Sequence, residues 1–420
     1  LEVKLAYGKD KLQVELNPKG YCQIITPRSL PGVSDPLAEI SRALAEPIGT
    51  SPLAELLRER QPQKVVIVVN DVTRPTPYEV MLPPLVAELE RAGIGDEQVT
   101  LVVATGSHRA NTEEENRASF GEEICRRFNI ISHDCDRDLV AIGRLSDGQE
   151  LVINRLVAEA DFIITTGLIT MHYIAGFSGG RKSILPGVAA RNLIQYNHSL
   201  MTDPRACAGN WRTNPVHWLM LEAARLVGVD FILNVVTNEK KEIVQAVAGD
   251  LEQAWLAGVE TCRQMSMVTV PRAADVVLVS AGGHPKDINL YQAQKALEAA
   301  AAATRPGGTI ILLARCREGL GEHTFEKWML EAETLEDIFR RFEQGFVLGG
   351  HKAYAIARVL QEKQVILISD LGKELTESLF MRYADSIPTA LLQVEEQYGQ
   401  DYSLLVIPDG SQVQPEVASA

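Results

Sequence analysis

The sequence predicts an α/β protein of two α/β domains with largely parallel sheets, and three observations predict it. Continuous β-branched runs such as KVVIVVN, Lys64 to Asn70, have the character of strands covered on both faces. Each run is followed by a polar loop and then by apolar residues at helical spacing. The length, 420 residues, is long for one core. The expected division is 1–270, then 271–390, with a tail, 391–420, that packs on either domain or returns to the first. The active site is expected in the cleft between the two.

The chain opens with LEVKLAYGKDKLQVEL, where Val3 and Leu5, then Leu12, Val14 and Leu16, alternate with polar residues around Gly8 to Lys11, as in a hairpin. From Asp35 to Glu59, Leu37, Ile40, Leu44, Leu53, Leu56 and Leu57 recur at three and four spacing and predict helix. The strand ending at Asn70 leads through DVTRPTP, Asp71 to Pro77, into a helix over Tyr78 to Ala92. Gln98 to Ala104 repeats the theme, ending in TGSHRANT before a helix over Glu113 to Arg127. Asn129 to His133, Asp161 to Thr166 and Asp230 to Val236 are further strands, and Leu251 to Met267 is helical. A second series follows, with strands over 275–281, 307–314 and 364–370 and helices over 289–303, 334–344 and 352–362. Ala390 to Gln397 reads as helix and Ser403 to Pro408 as extended.

A net charge of −14 argues against nucleic acid as a partner, because phosphate backbones need a basic face. No apolar run approaches the roughly 20 residues of a membrane span, and the opening alternation lacks the apolar core of a signal peptide. Six scattered cysteines without a CxxC predict buried thiols in a reducing compartment. The expectation is a soluble, cytoplasmic protein that binds a small molecule.

Ligands of such sheets sit outside the carboxyl ends of the strands. The loops DVTRPTP, TGSHR and HYIAGFSGGRKSILPG, His172 to Gly187, should therefore converge. In the last, Ser178, Gly179, Gly180 and Arg181 suit a phosphate cradle, although the order is neither a Walker loop nor a dinucleotide fingerprint and a plain tight turn gives the same pattern. Pro186 and Gly187 predict a helix start, with Val188 to Met201 as its body. Lys182 fits either a nucleophile or a phosphate-binding lysine. His108, His172 and His198 fall at these loops or in the helix beyond, and suit acid–base work or ligation of nickel, zinc or copper. His133, His217 and His323 lack such company and read as structural. Arg74, near Asp71 and Thr73, suits a carboxylate or phosphate. Tyr291, Gln292 and Lys295 begin a helix in the second domain, at spacings that place them on a common face.

DVTRPTP, ATGSHR, HYIAGFSGGRKSILPG, the downstream NHS and NLYQAQK, in that order, resemble the lactate racemase family, over most of the chain. The resemblance implies a 2-hydroxy acid racemase or epimerase that moves hydride to and from a nickel-pincer nucleotide, the C2 proton itself being too weakly acidic to remove. Lys182 would hold the cofactor covalently and His198 would ligate nickel. His108 and His172 would be the acid/base pair. Arg74 would bind the substrate carboxylate, and Gln292, Lys295 and Tyr291 its polar groups. Asp71, Thr73, Ser178, Gly179, Gly180 and Arg181 would contact the cofactor. Cofactor-maturation enzymes follow as partners, and domain closure would exclude water.

Two positions depart from lactate-type members. His284 stands where an aromatic is expected and His351 near an expected tryptophan, which favours a larger or more polar acid. A nucleotide-binding module without turnover, or a metal hydrolase built on the three histidines, are the competing readings.

Overall fold

The structure, a computed structural model, describes residues 2–16 and 19–418. Its contacts divide the chain into one unit of residues 29–265 and another formed by 1–28 with 266–420. Both are α/β units with parallel-rich sheets, as the strand–loop–helix alternation predicts.

The 29–265 unit is built on a six-stranded sheet in the order Ile243–Gly249, Phe231–Thr237, Phe162–Leu168, Val65–Asn70, Val99–Ala104, Asn129–Ser132. Neighbours are parallel except for the edge strand Ile243–Gly249, which runs antiparallel. From Val65–Asn70 the chain first adds strands on one side, then crosses to place Phe162–Leu168 on the other. This reversal leaves a crevice outside the carboxyl ends of those two strands, where ligands of doubly wound sheets sit. Every residue of Phe162–Leu168, and Val65 to Val69, is buried. Helices Pro36–Ala45 and Tyr78–Arg91 cover one face through Ile40, Leu44, Met81, Leu82 and Leu85.

Several boundaries differ from the sequence expectation. The long helical stretch from Asp35 is two helices, Pro36–Ala45 and Leu53–Arg60. The stretch from Glu113 divides at Gly121 into Glu113–Phe120 and Glu122–Arg127. The helix expected from Val188 begins only at Arg191 and ends at Ser199. Ala190 instead donates its N–H to Val152 O, so the preceding residues lie against the small antiparallel pair Leu139–Arg144 and Glu150–Asn154.

The other unit has a six-stranded parallel sheet in the order Arg382–Tyr383, Gln364–Ile368, Thr304–Leu313, Ala274–Ser280, Leu404–Ile407, Cys22–Ile24. The chain passes between the units at 265/266, near the expected 270; the tail, expected on either domain, lies with 266–420, and only the expected placement of the first residues in the N-terminal domain is corrected. The first 28 residues join the C-terminal half, and Leu404–Ile407 lies inside that half's sheet. Alternation marks a strand, but its partner is chosen by long-range pairing, which no local pattern encodes. The opening hairpin forms as expected, Glu2–Tyr7 against Asp10–Glu15, with Val3, Leu5 and Leu16 in the core. All six cysteines are free thiols. Among the described residues no helix is long and apolar enough to cross a membrane.

If the tail is an integral strand, Leu405→Ala, at a fully buried position, should destabilise this unit by roughly 2–5 kcal/mol. Leu392→Ala, on the exposed face of the preceding helix, should stay within about 0.5 kcal/mol. Urea unfolding of both variants checks the contrast.

Candidate active site

Asp71 is the first residue beyond the strand Val65–Asn70, and it is buried. Its Oδ2 lies 2.7 Å from His108 Nδ1, and its Oδ1 accepts the Thr73 hydroxyl at 2.7 Å. Burial alone would raise the Asp71 carboxyl. The hydrogen bonds from His108 and Thr73, with the charges of His108 and Arg74, outweigh it and hold the group below its ordinary value. Asp71 is therefore a carboxylate that accepts from Nδ1–H, which leaves the lone pair of a neutral His108 on Nε2. Asp71 and Thr73, expected at the cofactor, are engaged here in orienting His108.

His172 follows the strand Phe162–Leu168, in a short antiparallel pair where it lies opposite Gly176. Its Nδ1 accepts the N–H groups of Ala175 at 3.2 Å and Ile174 at 3.4 Å. An acceptor Nδ1 places the hydrogen of the neutral ring on Nε2, the opposite of His108. Desolvation, then the charges of Lys182, Arg74, His198 and Arg181, push its pKa well below the ordinary value.

The loop 178–182 is held from inside. Arg181 is buried, and its donors go to Ala175 O at 3.0 Å, Phe177 O at 2.8 Å, Ser178 O at 3.3 Å, Gly179 O at 3.2 Å and His217 Nδ1 at 3.0 Å. Its guanidinium lies 4.0 Å from the Trp255 ring centroid, and Trp255 Nε1 donates to Ser178 O at 2.8 Å. Gly180 donates its N–H to Asn234 Oδ1 at 2.8 Å. The Ser178 hydroxyl donates to Leu168 O at 2.7 Å and accepts the Thr170 N–H at 2.8 Å. Gly179 and Gly180 both have positive φ, and a Cβ at Gly179 would lie 2.7 Å from Ile169 Cγ1. Ser178, Gly179, Gly180 and Arg181, expected at the cofactor, make these contacts around the loop itself. The group it presents is Lys182, partly exposed, whose amine is pushed well below the ordinary lysine range by burial and then by the charges of Arg74 and Arg181.

His198 lies in the helix Arg191–Ser199, with Nδ1 2.7 Å from Ile194 O. A carbonyl only accepts, so Nδ1 carries the hydrogen and Nε2 the lone pair, as in metal-ligating histidines oriented by a backbone carbonyl. Burial lowers its pKa to about 4, opposed by the Ile194 hydrogen bond and assisted by Lys182 and His108. His108, His172, Lys182, His198 and Arg74 thus act on one another electrostatically, as the convergence of the three loops required. Among the described residues, the one trio with ligand atoms close enough to share a metal is Asp134, Cys135 and Asp136, so His108, His172 and His198 do not form a three-histidine centre.

In the other unit, Tyr291, Gln292 and Lys295 lie on the helix Leu290–Ala303, capped by Asn289 accepting Gln292 N at 3.0 Å. Lys295 Nζ donates to Gln292 Oε1 at 3.2 Å, which bears out their common face. His351 is buried, its ring 6.3 Å from Tyr291 and 5.4 Å from Phe346 by centroid, and Nδ1 accepts Gly349 N. His284 is exposed.

Reading the sequence missed Asn234, Trp255 and the role of His217. One signal was available: Asn234 interrupts FILNVVT, an otherwise apolar strand, and a buried amide there needs a specific partner.

The family models for the lactate racemase N-terminal domain and C-terminal domain match residues 7–209 and 269–414. The chain is 35% identical to the lactate racemase of Thermoanaerobacterium thermosaccharolyticum, covering 98% of each, and 34% identical to that of Lactiplantibacillus plantarum, covering 97% of this chain and 98% of the relative. It superposes on the structure of the Thermoanaerobacterium thermosaccharolyticum lactate racemase apoprotein with a TM-score of 0.88, at 34% identity over the full length of both chains.

Burial and the charges of Arg181 and Arg225 lower the His217 pKa to about 3, against an ordinary 6.5. The unfolded chain therefore binds a proton between these values that the folded chain does not, so stability should fall as pH drops from 6.5 towards 3, each pKa unit being worth about 1.4 kcal/mol. His217→Gln, which keeps an acceptor for Arg181, should flatten this dependence in thermal unfolding followed across that range.

Proposed function

The chain belongs to the lactate racemase family, and on that premise we propose that it inverts C2 of lactate or a related, larger or more polar 2-hydroxy acid, with His108 and His172 as acid and base. It is an isomerase. The observation that carries the assignment is the opposite state of the two histidines, with a lone pair at His108 Nε2 and a hydrogen at His172 Nε2. Inversion needs one group that takes the hydroxyl proton and a second, protonated group that returns one to the oxygen on the other face.

His108 Nε2 takes the hydroxyl proton, and the Asp71 carboxylate, already hydrogen-bonded to Nδ1, stabilises the imidazolium that forms. Burial, and then the charges around it, oppose an imidazolium at His172, so a protonated His172 gives its extra proton to the oxygen of the intermediate and returns to the neutral ring, while His108 holds the proton taken from the substrate until solvent removes it. Arg74, exposed in the loop after Val65–Asn70, pairs with the substrate carboxylate. Tyr291, Gln292 and Lys295 hold the substrate's remaining polar groups.

The residues fit the nickel-pincer nucleotide that the family implies. Lys182 offers an amine disposed to be uncharged and would hold the cofactor covalently; His198 offers an Nε2 lone pair on a ring fixed by Ile194 and would ligate nickel. When bound, the cofactor supplies an acceptor and donor of hydride at C2. Cofactor-maturation enzymes as partners and a cytoplasmic location belong to the same reading. Support comes from the family match, the Lys182 environment and the His198 tautomer together.

Nickel-loaded holoenzyme incubated with a panel of enantiopure 2-hydroxy acids should racemise at least one, read by chiral chromatography; retention of configuration throughout the panel would sink the reading. Asp71→Asn should lower kcat by roughly 10²- to 10⁴-fold with the fold retained. Arg74→Ala should act mainly on KM.

A further inference from the structure

Arg181 sits immediately before Lys182, and its contacts are all with neutral groups: four carbonyls, the neutral imidazole of His217 and the face of Trp255. His217 and Trp255 stack, with centroids 5.0 Å apart and planes at 22°. Burying a cation without an anionic partner costs several kcal/mol. Four carbonyls are tied at lower cost by neutral donors, so the charge itself calls for a use.

We infer that Arg181 is the positioning residue for Lys182: it locks the loop 178–182 from beneath and sets a permanent positive charge within electrostatic reach of the amine, presenting that amine as a nucleophile. The inference rests on the reading of Lys182 as the attachment lysine. In that attachment the amine nitrogen forms a C–N bond to an activated acyl or thioacyl carbon, the leaving group departs with its electron pair, and the nitrogen loses a proton. An amine ion-paired with a carboxylate would hold that proton. Burial, and then the charges of Arg74 and Arg181, favour losing it. The guanidinium suits the task because its charge persists; burial lowers its pKa only to about 9.

The test needs no cofactor. The full-length apo chain is treated at pH 7 with an acetyl N-hydroxysuccinimide ester, and acetylation of Lys182 is followed by peptide mass spectrometry relative to the exposed Lys373. In the wild-type chain Lys182 should react faster than Lys373. Arg181→Met should lower the Lys182:Lys373 ratio by about tenfold or more, the effect of one pKa unit on the free-amine fraction. Arg181→Lys, which keeps a charge but has three donors for five acceptors, should give an intermediate fall. General loosening of the fold would raise labelling, so the sign separates positioning from a merely structural role. An unchanged or raised ratio in a folded variant, or a wild-type Lys182 no faster than Lys373, overturns the inference. Mass spectrometry of protein from a host that makes the cofactor tests attachment separately. Absence of an adduct there, with the labelling pattern as expected, defeats the attachment reading and leaves the role of Arg181 standing.

Discussion

A strand buried on both faces can carry polar chemistry only where it ends. Val65–Asn70 and Phe162–Leu168, side by side at the centre of their sheet, are such strands, and the chain reverses its order of strand addition between them. Asp71 begins the loop after one, and the segment from His172 to Lys182 follows the other. The loop carrying His108 comes from the neighbouring strand Val99–Ala104. The placement of the candidate site therefore follows from the packing of the sheet, and the chemistry follows from which polar groups the loops leave exposed.

Most polar groups in these loops serve one another. Asp71 fixes His108, two backbone N–H groups fix His172, Ile194 O fixes His198, and Arg181 draws four carbonyls together. Each contact decides which atom of the next group faces outward and whether that atom carries a hydrogen. Charge complements geometry: burial and neighbouring positive charge lower the pKa of His172, His198 and Lys182. Such a field suits an anionic substrate and cofactor, and it is produced within a chain whose net charge is strongly negative.

The second α/β unit contributes a different kind of surface. Tyr291, Gln292 and Lys295 project from the first turns of one helix, and Lys352 on a later helix, Gly350–Glu362, donates to Gln294 at 2.6 Å from within the core. His351 packs edge-on to Tyr291 and so fixes the placement of that phenol. The sheet beneath is closed by strands from both ends of the chain, Cys22–Ile24 and Leu404–Ile407.

The sequence by itself determined the α/β class, the strand–loop–helix order and the loops that hold the chemistry, because burial on two faces and helical spacing are local patterns. An ordered set of motifs also singled out His108, His172, Lys182 and His198 as candidates. Only the tertiary structure decided which sheet receives the first 28 residues and the tail, since strand partners are chosen over hundreds of residues. It alone separated Arg181 from Lys182, adjacent in sequence and alike in charge. One turns inward to carbonyls, His217 and Trp255, while the other remains partly exposed, and that difference depends on Asn234, His217 and Trp255, which lie 35 or more positions further along the chain.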